Sequence, residues 1–108
     1  MDSTLLARFQ SFASHVDMFV PCPTFDAVAA FVQGMDHAVG GCLLSGVREQ
    51  LMTKLGRSSS LAWSEIALTL AFPNAPDPRS SLQTPRGNVV AIDHLLKLLD
   101  ECFANLRK

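Results

Sequence analysis

Tyrosine is absent from this chain, and its 108 residues include a single tryptophan and three cysteines. An odd number of cysteines at Cys22, Cys42 and Cys102, far apart in the chain, argues against a disulfide scaffold. It points to reduced thiols in a cytoplasmic protein. Cys102 falls in an apolar stripe, where a free cysteine behaves as a small hydrophobe. Charge is scarce as well. Charged residues make up 18% of the chain, against roughly 25% in an average soluble protein. Nine basic and ten acidic side chains leave a net charge of −1. That balance lacks the electrostatic footprint of a nucleic-acid binder and offers nothing to an anionic membrane surface. No apolar run approaches the ~20 residues of a membrane span. The start, MDSTLLARF, carries no basic segment followed by an apolar one, so no signal peptide is expected.

What the chain does contain is apolar periodicity. Hydrophobic residues make up 48%, enough for one core in a single helical domain spanning 1–108. A domain of this size buries about two-thirds of its unfolded surface and needs no staples. From Ser3 to Val20, residues Leu5, Phe9, Phe12, Val16 and Phe19 fall at steps of 4, 3, 4 and 3, an amphipathic helix with Asp2 or Ser3 as N-cap. Pro21 and Pro23 stop it. Thr24 caps a second helix, which carries Phe25, Val28, Phe31, Val32, Met35 and Val39 to the pair Gly40–Gly41. Gly34 inside it predicts close approach of a neighbouring helix. A third helix, Cys42 to Leu55, places Leu44, Val47, Leu51 and Leu55 at steps of 3, 4 and 4 and ends at Gly56, a left-handed C-cap. The second and third helices are expected to fold back on each other as an αα-hairpin.

Ser58, Ser59 and Ser60 supply the next N-cap. A fourth helix then carries Leu61, Trp63, Ile66, Ala67 and Leu70 until Pro73. Trp63 is expected to anchor in the core with its indole N–H on a carbonyl. Residues 74–83, with two of the six prolines, form a partly ordered loop. The last helix is capped by Thr84, has Pro85 in its first turn, and buries Ile92, Leu95, Leu96, Leu99, Cys102, Phe103 and Leu106. Asp93, Lys97, Asp100 and Glu101 mark its opposite face, and Arg107 and Lys108 complement its dipole. Asp93 and Lys97 form a favourable i,i+4 pair. The expected fold is all-α, a single compact bundle of about five helices.

Catalytic chemistry finds little support. Cys22, Asp36, His37 and Cys42 come nearest to a metal site, yet no CxxC, HxxxH or HExxH occurs. Neither GxSxG nor a phosphate loop is present. An enzyme is not expected, nor any cofactor or metal. A helix-turn-helix fails too, because Leu61 to Phe72 has no lysine or arginine for phosphate contacts.

The segments FVQGMDHA, GGCLLSGVREQL and SLAW, within Phe25 to Pro73, resemble small bacterial cytoplasmic proteins. Some of those are immunity partners of polymorphic or contact-dependent growth-inhibition toxins. The resemblance implies a protein that neutralises one cognate toxin domain by covering its active site. Immunity proteins against nucleases tend to carry an acidic patch, whereas this chain is nearly neutral. Asp36, Asp93, Asp100 and Glu101, with Lys97 between them, are the candidate partner-binding residues. The alternative is a small helical adaptor or regulator working as a homodimer, suggested by the positive mean hydropathy and seven phenylalanines. A third option is a small-molecule pocket lined by Phe and Met inside the bundle.

Overall fold

Seven helical elements are present among the described residues of the computed structural model, which are 3–106; no strand occurs among them. The all-α expectation holds, with two more elements than the five expected. One addition has a local cause and the other does not. The first segment divides into α1 (Ser3–Ser14) and α2 (Val16–Phe19), with His15 between them at φ −140° and ψ 47°. No proline forces this break. Ser14 Oγ donates to the Gln10 carbonyl at 2.9 Å, and His15 Nδ1 sits 3.3 Å from the Ser11 carbonyl. Side chains competing for backbone carbonyls in this way weaken a helix end. Ser3 is already helical where the described residues begin, and the alternative cap Asp2 lies outside them, as do Arg107 and Lys108.

The other addition is a 3-10 helix, Pro78–Gln83, in the segment expected to be a partly ordered loop. Asp77 caps it by accepting from the Arg79 amide at 3.2 Å. Arg79 then reaches Asp26 with two hydrogen bonds of 3.0 and 3.1 Å and also contacts Glu65. Those partners are remote in sequence, so composition alone could not reveal the order.

α3 (Phe25–Ala38) starts as expected, with Thr24 Oγ1 accepting from the Ala27 amide at 3.2 Å. A second acceptor, Asn88 Oδ1, takes the Phe25 amide at 2.8 Å. The third helix begins later than expected. α4 covers only Val47–Leu55, because residues 40–46 form an irregular turn in which Gly40 and Gly41 take φ of 68° and 84°. Within that turn Leu43 is fully buried. The αα-hairpin expectation is corrected accordingly: α4 packs on the neighbouring α5 and on α6, while α3 packs mainly on α6. Gly56 takes the expected left-handed conformation at φ 82° and donates to the Met52 carbonyl at 2.9 Å.

α5 (Trp63–Ala71) starts at Trp63 with no side-chain cap. None of the three serines caps it; Arg48 instead holds the segment, its guanidinium donating to the Leu61 carbonyl at 2.9 Å and to that of Ser59. Trp63 packs partly buried against the core, and its indole N–H donates to Gln33 Oε1 at 2.8 Å, tying α5 to α3. α6 (Pro85–Leu106) is the hub. It touches α1, α3, α4, α5 and the 3-10 helix, and its Ala91, Leu95, Leu99, Cys102 and Phe103 are buried. Phe9 of α1 meets Phe103 edge-on, with ring centres 4.9 Å apart.

Gly34 corrects a further expectation. An added methyl there would meet no atom within 4 Å, so no helix crosses at this point. The residue faces open space and costs helix propensity with nothing in return. Gly34→Ala is expected to raise stability by about 0.5–1 kcal/mol, read as a higher denaturation midpoint with an unchanged slope. A lower midpoint would show that the glycine has a role which its open surroundings do not reveal.

Candidate protein-docking face

The five candidate residues separate into three places. Asp93, Lys97 and Asp100 stand at i, i+4 and i+7 on α6, a spacing that puts them on one helix face. They line an open groove of about 420 Å³ between α6 and α1, facing Phe9, Gln10, Ala13 and Ser14, with Leu96 in its wall. Asp93 and Lys97 pair at 3.0 Å across the helix turn. Asp100 makes no ion pair among the described residues and stays exposed on the groove's edge.

Glu101 turns toward α4, where it pairs with Lys54 at 2.8 Å. That hydrogen bond and charge hold the Glu101 carboxyl below its ordinary range and push the Lys54 ammonium up. The depressed carboxyl contributes stability above the usual carboxylate pKa, and this is lost as pH falls through the lowered value. With the carboxylate 58% exposed, the contribution is small. The seam continues through Gln50, which donates to the Cys102 carbonyl at 3.3 Å and accepts from Asn105 at 3.2 Å. Burial pushes the Cys102 thiol up. Cys22 and Cys42 are exposed, and all three thiols are free.

Asp36 stands apart from the other four. Its Oδ1 accepts the Leu44 amide at 2.7 Å, and its carbonyl accepts the Gly41 amide at 2.8 Å. The side chain is half-buried and organises the glycine turn. Among the described residues no group of three or more His, Cys, Asp or Glu side chains converges on one point, and no helix is long and apolar enough to cross a membrane.

No family model, curated protein or solved structure matches this chain. The properties of its surface rest on its own geometry.

Two features of that surface escaped sequence reasoning. One is the cluster of Arg79, Asp26 and Glu65, where both carboxylates raise the guanidinium pKa further and the 3-10 helix is held against α3 and α5. The other is an apolar groove of about 330 Å³ on the opposite flank of α1. Phe12 stacks on Phe31 with ring centres 4.3 Å apart, and Phe19 leans on both at 5.7 and 5.8 Å. Leu5, Met35 and Val39 complete its walls, with Arg8 at the edge. Periodicity marked these phenylalanines as core. The break at His15 leaves Phe19 46% exposed. A ridge, α1, thus separates a polar groove from an apolar one.

Proposed function

We propose that the chain is a stoichiometric binding protein of the immunity type, which covers the active site of a cognate bacterial toxin domain. The contact is made by the outer side of α6. Support comes chiefly from one observation: the α1–α6 groove joins an apolar floor at Phe9 and Leu96 to a polar edge on which Asp100 has no ion pair among the described residues. Such a carboxylate beside an open apolar groove suits a basic side chain of a partner, because opposite charges across an interface steer encounter and fix register. Glu101 stands next to Asp100 in sequence but turns toward α4, where Lys54 neutralises it in part. On this reading the protein acts by binding, without catalysis or a cofactor. Its exposed free thiols at Cys22 and Cys42 suit a reducing cytoplasm.

The test is affinity capture of the tagged protein from a lysate of its source organism, with the co-purifying chains counted, followed by charge reversal. One partner at 1:1 is expected. Asp100→Lys is expected to weaken that complex roughly tenfold or more, and Glu101→Lys less, since its carboxylate is already shared with Lys54. Unchanged affinity for both variants would remove α6 as the contact surface. Both residues are exposed, so circular dichroism should show the fold retained.

A further inference from the structure

The groove between α1 and α6 does not end at Leu96. Asp93 and Leu96 also wall a second groove of about 300 Å³, which runs on past Val16 and Asp17 to Ile92 and Val89. Together they make one trough along a single face of α6, where Val89, Asp93, Leu96 and Asp100 follow at steps of 4, 3 and 4. At 1.5 Å per residue that face is about 16 Å long, or three helical turns. Val89, 66% exposed, leaves apolar surface open toward one end. Acidic charge collects here. The charged residues lining the trough are Asp17, Asp93, Asp100 and Lys97, three acidic against one basic, so a net −2 in a chain whose net charge is −1. Among the described residues only Asp17, Glu49 and Asp100 have a side-chain carboxylate with neither an ion pair nor a hydrogen bond. Two of those three stand in the trough, toward opposite ends. Lys97 is held by Asp93 at 3.0 Å, which leaves the two outer carboxylates as the free charges.

We propose that this trough takes an amphipathic, basic helix of the partner protein. Its apolar stripe lies along Val89, Ile92 and Leu96, and one basic side chain near each end meets Asp17 and Asp100. The backbone decides for a helix over an extended segment. Apart from Pro23, every residue lining the trough belongs to α1, α2 or α6. Walls of that kind spend most of their N–H and C=O groups on their own turns and offer no row of free ones. A strand laid here would leave its backbone without a ladder, whereas a helix brings its own bonds and presents only side chains. Charge decides the sign, since an acidic helix would face a net −2 and a neutral one would cover both free carboxylates unpaired. This inference rests on the α6 reading and names the element by which the toxin domain docks.

The probe is a fluorescein-labelled, end-capped peptide of about 20 residues, long enough to be helical alone. It is built of leucine, alanine and lysine, with the leucines on one face. Anisotropy titration with the full chain is expected to give saturable 1:1 binding with a Kd of roughly 10–100 µM. A peptide of the same composition with its leucines scattered round the helix is expected to bind at least about fivefold more weakly. Asp17→Lys and Asp100→Lys are each expected to weaken binding at least about fivefold. Asp17→Asn, which removes the charge without adding bulk to the short α2, is expected to give a smaller loss of the same sign. Glu49→Lys makes the same change in net charge on α4, outside the trough, and is expected to leave affinity within about twofold. Absence of saturable binding would overturn the proposal. So would equal binding of the scattered peptide, indifference to both trough reversals, or a loss with Glu49→Lys as large as theirs. A captured 1:1 partner sensitive to Asp100→Lys, with no peptide binding, would keep the α6 reading and remove the helix as the docked element. Trough-dependent peptide binding with no captured partner would keep the helix site and remove the toxin domain as its occupant.

Discussion

Gly87→Ala is expected to cost roughly 3–5 kcal/mol and to lower the melting temperature by roughly 12–25 °C. Helix propensity alone predicts the opposite sign, since alanine in a helix is favoured over glycine by about 1 kcal/mol. Packing decides the outcome. A methyl at Gly87 would overlap the Ser81 carbonyl oxygen, with the Ser81 carbonyl carbon 2.8 Å away and Thr84 Oγ1 at 3.0 Å. Two of these atoms are backbone and cannot swing aside. The 3-10 helix and the first turn of α6 would have to separate. The bond from the Gly87 amide to Thr84 Oγ1, 3.0 Å in the native fold, would be strained with them. Thermal unfolding followed by circular dichroism measures this directly, and Gly34→Ala provides the matched control at a glycine with free space. If Gly87→Ala melts at or above the wild-type temperature, the close approach of Ser81 is not a feature of the folded protein.

Asn88→Ala is expected to destabilise by roughly 2–4 kcal/mol, because one side chain serves three backbone groups. Its Oδ1 accepts the Phe25 amide at 2.8 Å, and its Nδ2 donates to the carbonyls of Leu82 at 2.8 Å and Thr84 at 3.3 Å. Removal leaves a part-buried amide at the start of α3 without its acceptor. It also frees the end of the 3-10 helix. Asn88→Asp separates the two halves, since it keeps an acceptor for Phe25 and loses both donors. A smaller loss than for alanine is expected. Urea denaturation with both variants measures the difference. A change below about 0.5 kcal/mol for Asn88→Ala would mean that water replaces all three bonds.

Both residues escaped sequence reasoning for the same physical reason. A helix announces itself through residues three and four apart, and its caps through neighbours, so Thr24, Gly56, Thr84 and the stripe of α6 were all legible. Asn88 and Phe25 are 63 positions apart, and Arg79 and Asp26 are 53 apart. No local rule joins them. The same limit explains the expectation at Gly34, where an isolated helical glycine suggested a neighbour and the structure has open space. The αα-hairpin failed because two amphipathic stripes define which faces are buried without saying against what. Of the candidate surface, Asp93, Lys97 and Asp100 were legible as one face from their spacing. The inward turn of Asp36 toward the Leu44 amide depends on a glycine-rich turn whose path no periodicity encodes. The exposure of Phe19 depends on a single break at His15, in a segment whose apolar steps run on unbroken.

The position of α6 has a consequence for how the protein is made. A ribosome releases α1, α3, α4 and α5 before the helix on which all four pack. Until residues 85–106 have left the exit tunnel, Phe9 lacks Phe103 and the first amide of α3 lacks Asn88. Until then the chain can stack Phe12 on Phe31, but the faces of α1, α3, α4 and α5 that meet α6 stay uncovered.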